Sequence, residues 1–404
     1  MVIGIIGAGA SGMAAAIWAS QNPNAQIILF ERQARVGRKL QATGNGRCNL
    51  SNRNADVSAY HGEDADFVRF ALDSFGAAQT VDWFRDLGLF TVTEGSGKVY
   101  PYSDQANSVV DVLRFALEKK NISLVTGCEI QRVKKTGEGF ELSDGENIWQ
   151  CQKLIIACGG LAGTKLGGSM SGYKLLSKFG HKCTKLRPAL VQIKSDWSGV
   201  AALKGVRANC RVQILCDGEL INESIGELQF TEYGLSGPVI FEVSRDVCTT
   251  KNQWIARLDF LPDISEAVLL QELTRRKHTT LPTDELLTGI LHNRLGRVLT
   301  KATGIGTGEV SQLVETQLQS VVAAVKAFEI SLAEPLGMDS AQVTAGGILT
   351  EQFDAQTMES KLVSGLYACG EVLDIDGDCG GYNLQWAWSS GRLAGLHAGK
   401  ENHD

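Results

Sequence analysis

The alternation of apolar and polar positions gives the chain three textures. "VIGIIG" (2–7) is an unbroken apolar run of strand length, "ASGMAAAIWAS" (10–20) reads as a helix with a small-residue face, and "QIILFE" (26–31) is a second apolar run. The helix is expected to end near Asn22-Pro23, because the residue before proline avoids helical geometry. Runs that are apolar on both faces belong to parallel sheets, so a β-α-β unit opens the chain. Helical patterns follow at 64–76 and 77–87, and 108–121 has the spacing of an amphipathic helix. "ISLVTGCEIQRVKK" (122–135) and "GFELSDG" (139–145) read as strand pairs, and "KLIIACGG" (153–160) as a buried strand closing on glycines.

From about residue 190 the texture shifts to short alternating strands of antiparallel type: "ALVQIKS", "RVQILCDGELI", "GELQFTEYGLSGPVIFEVS" and "QWIARLDFLP". Residues 264–300 are helical in pattern, and "VVAAVKAFEISLAEP" (321–335) reads as a return to strand. "GLYACGE" (365–371) is one more buried strand. It leads into "GDCGGYNLQWAWSSGRLAG" (377–395), a glycine loop opening straight into a helix. A helix start with bare N–H groups is expected to face something electron-rich. Both ends of the chain therefore read as Rossmann-type pieces and the middle as an insertion.

Composition narrows the classes. The chain has 404 residues, 44% hydrophobic and 21% charged, with a net charge of −6, against a nucleic-acid binder that works by bulk charge. The 45 glycines stand out and suggest loops that bring backbone close to a ligand. Ten cysteines, at 48, 128, 151, 158, 183, 210, 216, 248, 369 and 379, form no Cys-x-x-Cys pair. They read as reduced, mostly buried residues of a cytoplasmic protein. No signal-peptide pattern, no run of membrane-spanning length and no metal spacing among His61, His181, His278, His292, His397 and His403 is present, so no metal and no membrane are expected.

The candidate chemistry begins with Gly7-Ala8-Gly9-Ala10-Ser11-Gly12, a G-x-G-x-x-G match that follows a strand and opens a helix. Glu31 ends the second strand, 19 residues beyond Gly12, placed for an adenosine ribose and against a 2′-phosphate. The following loop, "ERQARVGRKLQATGNGRCNLSN", interleaves Arg32, Arg35, Arg38, Lys39 and Arg47 with glycines and asparagines. A solvated basic loop would explain the charges but not the glycines. An extended ligand with two phosphates explains both, which favours FAD over NAD. Thr43, Gly44, Asn45, Gly46, Cys48 and Asn49 join the cofactor set, as do Ile130, Cys158 and Gly159. At the other end Gly370, Glu371 and Asp374 are assigned to ribityl or phosphate groups. Gly381, Asn383, Leu384 and Gln385 are assigned to present N–H groups to the flavin pyrimidine edge. Cys48, Tyr382 and Trp386 are the catalytic or pocket-lining candidates; no general acid or base is named.

On "IIGAGASGMAAA", "ATGNGRCNLSN", "FTEYGLSGP" (230–238), "TAGGI" (344–348) and "LYACGEVLDIDGDCGGYNLQWAWSSGRLAG", the chain resembles a family of bacterial FAD-dependent oxidoreductases. That family includes aminoacetone oxidase and the 3-dehydro-bile-acid reductases. The resemblance implies an α/β fold: a glutathione-reductase-like Rossmann FAD-binding domain (1–190 and 336–404). It is interrupted by a β-barrel-like domain (191–262 and 315–335) carrying a small helical subdomain (263–314). The family motif has His after Phe-Thr, where this chain has Glu232, so a histidine acid–base role there is not carried over. "TGIGTGE" (303–309) has the wrong spacing for a second dinucleotide site, so NAD(P)H, if used, docks transiently. The expected function is hydride transfer between flavin N5 and a small or hydrophobic organic substrate, with the insertion capping the flavin. A flavoprotein acting on RNA and a non-catalytic FAD-binding protein are the alternatives. No nucleic-acid partner is expected, and the oligomeric state stays open.

Overall fold

The computed structural model describes residues 1–119, 121–247 and 253–400; Cys248 and His403 lie outside them. The described residues form two units, 1–188 with 341–400, and 189–340. The first is built on five strands, β1 (Val2–Ile6), β2 (Gln26–Glu31), β3 (Ile122–Thr126), β4 (Lys153–Ile156) and β5 (Leu366–Ala368), in the order β5-β4-β1-β2-β3. Every neighbouring pair is parallel, with Ile5 opposite both Leu29 and Ile155. Ile3, Ile5, Ile27, Leu29, Leu154 and Ile156 have no exposed surface, so both faces are covered, as the unbroken apolar runs require. The run at 122–135 divides: its first part enters this sheet. Arg132–Thr136 begins an antiparallel sheet with Gly139–Ser143 and Ile148–Cys151, the last an unexpected strand.

Four helices place the site: α1 (Ala10–Ala19), α2 (Ala77–Asp86), α3 (Ala106–Ala116) and α4 (Tyr382–Gly399). Helices α1 and α4 meet along a seam without side chains. A Cβ on Gly391 would overlap the Ser11 carbonyl, one on Gly395 the Ala15 carbonyl, and one on Gly399 would press on the Ala19 carbonyl at 3.2 Å. Both sets advance by four residues in the same direction. The helices therefore run parallel, with their N-termini at the same end of the seam. Glycine inside a helix costs about 1 kcal/mol relative to alanine, so three of them are tolerated here because only glycine lets the backbones touch.

The second unit is a closed barrel of strands 193–195, 234–236, 219–230, 207–216, 254–259 and 328–335, in that order around the ring. Its apolar core also takes in Leu269 and Leu273 from helix Glu266–Arg276, and Leu295 and Leu299 from helix Asn293–Ala302. Two expectations fail here. The run at 321–335 is strand only from Phe328; Glu315–Lys326 is a helix. Its valines are β-branched, but Leu318, Val321, Val322 and Val325 fall at 3–4 residue spacing on one buried face, and the Gln317 side chain accepts the Val314 N–H at 3.0 Å. Likewise "PVIFEV" is helix Pro238–Val243 rather than strand, with proline at a first-turn position where its missing N–H costs nothing.

Replacing Gly395 with valine should force α4 away from α1 and destabilise the protein by about 1–3 kcal/mol. Thermal unfolding of the variant beside an exposed-face control such as Lys361→Ala checks this; an unchanged melting temperature would mean the seam is not close-packed.

Candidate functional site

The glycine turn between β1 and α1 is held from three sides. Gly7 has φ 105°, and a Cβ there would strike the Ala157 carbonyl; a Cβ on Gly12 would strike the Gly7 carbonyl. Gly9 differs: a Cβ would meet nothing within 4 Å, so its backbone faces open space beside Ala10 at the start of α1. The Glu31 carboxylate braces this turn, with Oε2 accepting the Ala8 N–H at 2.9 Å and Oε1 the Gln33 N–H at 2.8 Å. Each oxygen keeps a second lone pair, so bracing and ribose binding are compatible. Gly159 after β4, at φ 68°, also faces open space. Its neighbour Cys158 turns inward, its Sγ 3.5 Å from the Ile6 carbonyl, and burial pushes that thiol up to about 12. Ile130 is a core residue near the end of β2, where the Cys128 N–H donates to the Glu31 carbonyl at 3.0 Å.

The basic loop uses much of its charge on the protein itself. Arg32 donates to the Gly167 carbonyl at 2.8 Å, and Arg38 to the Gln33 side chain at 3.0 Å. Lys39 pairs with Glu371 at 2.7 Å. Arg47 pairs with Asp104 and, at 2.9 Å, with Glu94, and its guanidinium lies 4.0 Å from the centre of the Tyr100 ring. Those two carboxylates hold its pKa above the already high guanidinium value. What the loop leaves exposed is backbone. Thr43 turns its hydroxyl back to the Leu40 carbonyl at 2.7 Å, and Gly44, Asn45, Gly46 and Cys48 all have positive φ. A Cβ on Gly46 would meet nothing within 4 Å. The Arg47 and Cys48 N–H groups close on the Gly44 and Thr43 carbonyls at 3.2 and 3.0 Å, so it is the backbone of residues 44–46 that is left to approach an anionic oxygen.

Against this loop lies the C-terminal segment. The Glu371 carboxylate accepts the Thr344 N–H at 2.8 Å in addition to Lys39, so it pins three chain segments together. Gly370 donates its N–H to Ser390 at 3.0 Å and accepts from Trp386 Nε1 at 3.2 Å. Trp386 is 1% exposed and edge-on to Phe67, so it packs in the core and holds the Gly370 turn rather than lining a cleft. Asp374 is buried and accepts the Glu63 N–H at 3.2 Å. Gln385 is a buried hub: its amide donates to the Phe75 carbonyl, Thr80 and Ser389 at 2.9–3.0 Å and accepts from Ser51 at 2.6 Å. Its backbone N–H closes the first helical bond, to the Gly381 carbonyl at 3.0 Å, and so is not available to a ligand. The N–H groups of Asn383 and Leu384, in the first turn, have no place in the helical ladder. Tyr382 is partly buried, its ring edge-on to Tyr60, whose hydroxyl donates to the Tyr382 carbonyl at 3.0 Å.

The residues present fit a flavin adenine dinucleotide. Gly9, Gly46 and Gly159 leave backbone facing open space, and two helix N-termini lie at one end of a common seam. Asn49 Oδ1 is buried with no hydrogen-bond partner, close to where a Gly381 Cβ would sit (2.8 Å). An orphaned buried acceptor beside the first turn of α4 is satisfied by a donor such as the ring N–H of a flavin. Cys48 is a poor chemical candidate: it has no exposed surface, and burial pushes its thiol up to about 12. Sequence reasoning missed the Lys39–Glu371 tie, the Gln385 hub and the α1–α4 seam. Of these only the seam carries a local signal, the four-residue glycine spacing of "GRLAGLHAG". Among the described residues no three His, Cys, Asp or Glu side chains gather to hold a metal ion, and no helix is long and apolar enough to cross a membrane.

Comparison with known proteins gives the chain its family. The family described as HI0933-like protein Rossmann domain matches residues 1–397. The chain is 39% identical to the 3-dehydro-bile acid delta(4,6)-reductase of Clostridium scindens over 98% of both chains. It is 32% identical to the ribosomal RNA dihydrouridine synthase of Escherichia coli over 96% of this chain and 95% of the relative. Among solved structures, the 3-ketosteroid delta1-dehydrogenase of Sterolibacterium denitrificans superposes with a TM-score of 0.53 over 98% of this chain and 99% of that one. At 11% identity the likeness is one of fold.

Two outcomes follow. A thiol near 12 is thiolate in only about one molecule in ten thousand at pH 8, so a brief iodoacetamide pulse should label exposed Cys183 and spare Cys48 until the protein is unfolded. Peptide mass mapping reads this, and early labelling of Cys48 would restore it as a candidate. Glu31→Ala should release FAD at least tenfold more readily and also lower the melting temperature of the FAD-free protein, since the carboxylate braces the glycine turn. Tight FAD binding with an unchanged melting temperature would remove both roles.

Proposed function

The chain belongs to the HI0933-like Rossmann family, and from that premise we propose that it is an FAD-dependent reductase of a carbon–carbon double bond conjugated to a carbonyl, in a small, largely apolar substrate of the 3-oxo-steroid kind. That it is a flavin-dependent oxidoreductase accords with its full-length similarity to a named reductase. The observation that carries the reading is the parallel α1–α4 seam, which brings two positive helix ends to one side of a glycine-lined backbone.

The names of the relatives narrow the chemistry. A delta(4,6) double-bond system in a 3-dehydro bile acid is conjugated to the 3-carbonyl. Dihydrouridine is uridine saturated at a double bond conjugated to a ring carbonyl. Both describe one class of bond. When bound, FAD supplies two electrons as hydride at N5. The chain's part is to hold that ring at the first turn of α4, through the N–H groups of Asn383 and Leu384 and the Asn49 acceptor, and to keep the loop rigid through Lys39, Glu371 and Gln385. No second dinucleotide motif is present in the sequence, so a nicotinamide serving as reductant docks transiently rather than in a Rossmann site of its own.

Charge favours the small molecule over RNA. Residues 189–340 hold fourteen Lys and Arg against nineteen Asp and Glu, so the inserted unit carries nearly all of the chain's negative balance. A phosphate backbone is bound by the opposite balance.

Anaerobic stopped-flow decides. The yellow protein should bleach with NADH or NADPH and recolour on mixing with a 4,6-dien-3-one steroid, whose product gains two hydrogens by mass spectrometry. Recolouring by a ribosomal RNA fragment but not by the steroid would select the RNA reading, and bleaching by neither nicotinamide would reject the donor.

A further inference from the structure

A short ribbon lies just ahead of α4: Tyr60–His61 pairs antiparallel with Asp376–Gly377, His61 opposite Asp376 and Tyr60 opposite Gly377. None of the contacts assigned to the cofactor uses it. Its backbone is already fixed. The Asn383 side chain accepts the Gly377 N–H at 2.8 Å and donates to the Gly377 carbonyl at 2.7 Å. Tyr60 OH donates to the Tyr382 carbonyl, and the Asp378 N–H to the Ala59 carbonyl, each at 3.0 Å. On this fixed ribbon sits an imidazole–carboxylate pair, His61 Nε2 to Asp378 Oδ1 at 2.7 Å, with side chains 35% and 38% exposed. The ribbon does not need that pair to hold its shape. The pair is within reach of water, and its carboxylate lies four residues before the first turn of α4.

We propose, resting on the reductase reading above, that the His61–Asp378 pair delivers the proton that completes reduction of the conjugated double bond. The balance is simple. Two electrons arrive as hydride and form a C–H bond at the β-carbon of the unsaturated carbonyl compound. The π pair shifts through the enolate to the α-carbon and forms the second C–H bond with the proton that leaves the imidazolium. The imidazole is left neutral and takes its next proton from water. Asp378, bonded to Nε2, orients the ring and steadies its positive charge, leaving Nδ1 to donate the proton.

The neighbouring groups do not compete for this role. Cys48 is buried with its thiol pushed up to about 12, and Tyr60 is 3% exposed, its hydroxyl already donated and its pKa driven up by burial. Trp386 has no proton to exchange near neutrality. The other ionisable groups around His61 are Asp376, its ribbon partner; Glu63 on its own segment; Asp374, which accepts the Glu63 N–H; and Tyr382 on α4.

The test separates this pair from the reading beneath it. Protein reduced with dithionite, which removes any dependence on the nicotinamide, is mixed anaerobically with a 4,6-dien-3-one steroid. In the wild type the rate of flavin recolouring should fall as pH is raised past neutrality. His61→Gln should recolour about 100-fold more slowly and lose that pH dependence, while FAD content and melting temperature stay as in the wild type. Asp378→Asn should fall between the two. Independently of turnover, histidine-selective NMR of the FAD-free protein should show one resonance, absent in His61→Gln, that moves in Asp378→Asn. Recolouring of His61→Gln at the wild-type rate, or a His61 resonance that does not move in Asp378→Asn, overturns the proposal while leaving the reductase reading intact. A wild type that never recolours on the steroid overturns both.

Discussion

The contact on which the rest depends is the one between the first and last helices. At Gly391, Gly395 and Gly399 the backbone of α4 lies directly on that of α1, and the seam admits no side chain on the α4 side. Because the helices run parallel, their dipoles align rather than cancel, and two positive ends lie at the same edge of the sheet. That arrangement is electrostatically unfavourable on its own. It is relieved by negative or electron-rich groups at both ends. One molecule with a pyrophosphate at its middle and a reducible ring at one end supplies them together. The cofactor is thus implied by packing as much as by the glycine motif, and the sequence distance between Gly9 and Gly381 is a consequence of closing that seam.

The second constraint is rigidity around the ring end. A loop rich in positive φ has many accessible backbone states when unfolded, so ordering it is costly. The structure offsets this with ties that reach across the whole chain: Lys39 to Glu371, Ser51 to Gln385, Asn52 to the Gly380 carbonyl at 2.8 Å, and Trp388 to the Leu50 carbonyl at 2.8 Å. Most are buried or half-buried, where a hydrogen bond left unmade costs more than at the surface. Residues 38–52 and 370–388 therefore act as one element. A change at either end of the chain is felt at the same place.

This division explains what could be read in advance. The strands β1, β2 and β4, the helix after Gly9 and the helix after Gly381 are local patterns, and each was visible as a run, a period or a glycine signature. The roles of charged residues were not. Lys39, Arg47 and Glu371 sit in segments with the composition of a phosphate site, yet their partners are Glu371, Asp104, Glu94 and Thr344, up to 332 residues away. A lysine among glycines looks the same whether its partner is a phosphate or a distant carboxylate. Gln385 likewise matched a helix-start signature, but the fold placed its side chain in the core and its N–H in the helical ladder. The helix at 315–326 was hidden by valine's preference for strands, which a buried stripe at helical spacing overrides.

The two kinds of substrate named among the relatives share a bond type, so the reaction centre alone does not separate them, and the proposed choice between them rests on the surface. In the inserted unit Lys204 faces Glu232, Arg207 faces Glu227, Arg211 faces Glu223, Arg257 faces Glu329 and Arg297 faces Glu285. Exposed pairs of this kind add little to stability. Their effect on a polyanion is larger, because every guanidinium offered to a phosphate brings its carboxylate along, and fewer counterions are released on binding. An apolar ketone does not meet this penalty, since it binds by burial of its own surface. In this chain those cations of the insertion are answered by acids, which accords with the proposed apolar ketone better than with a polyanion.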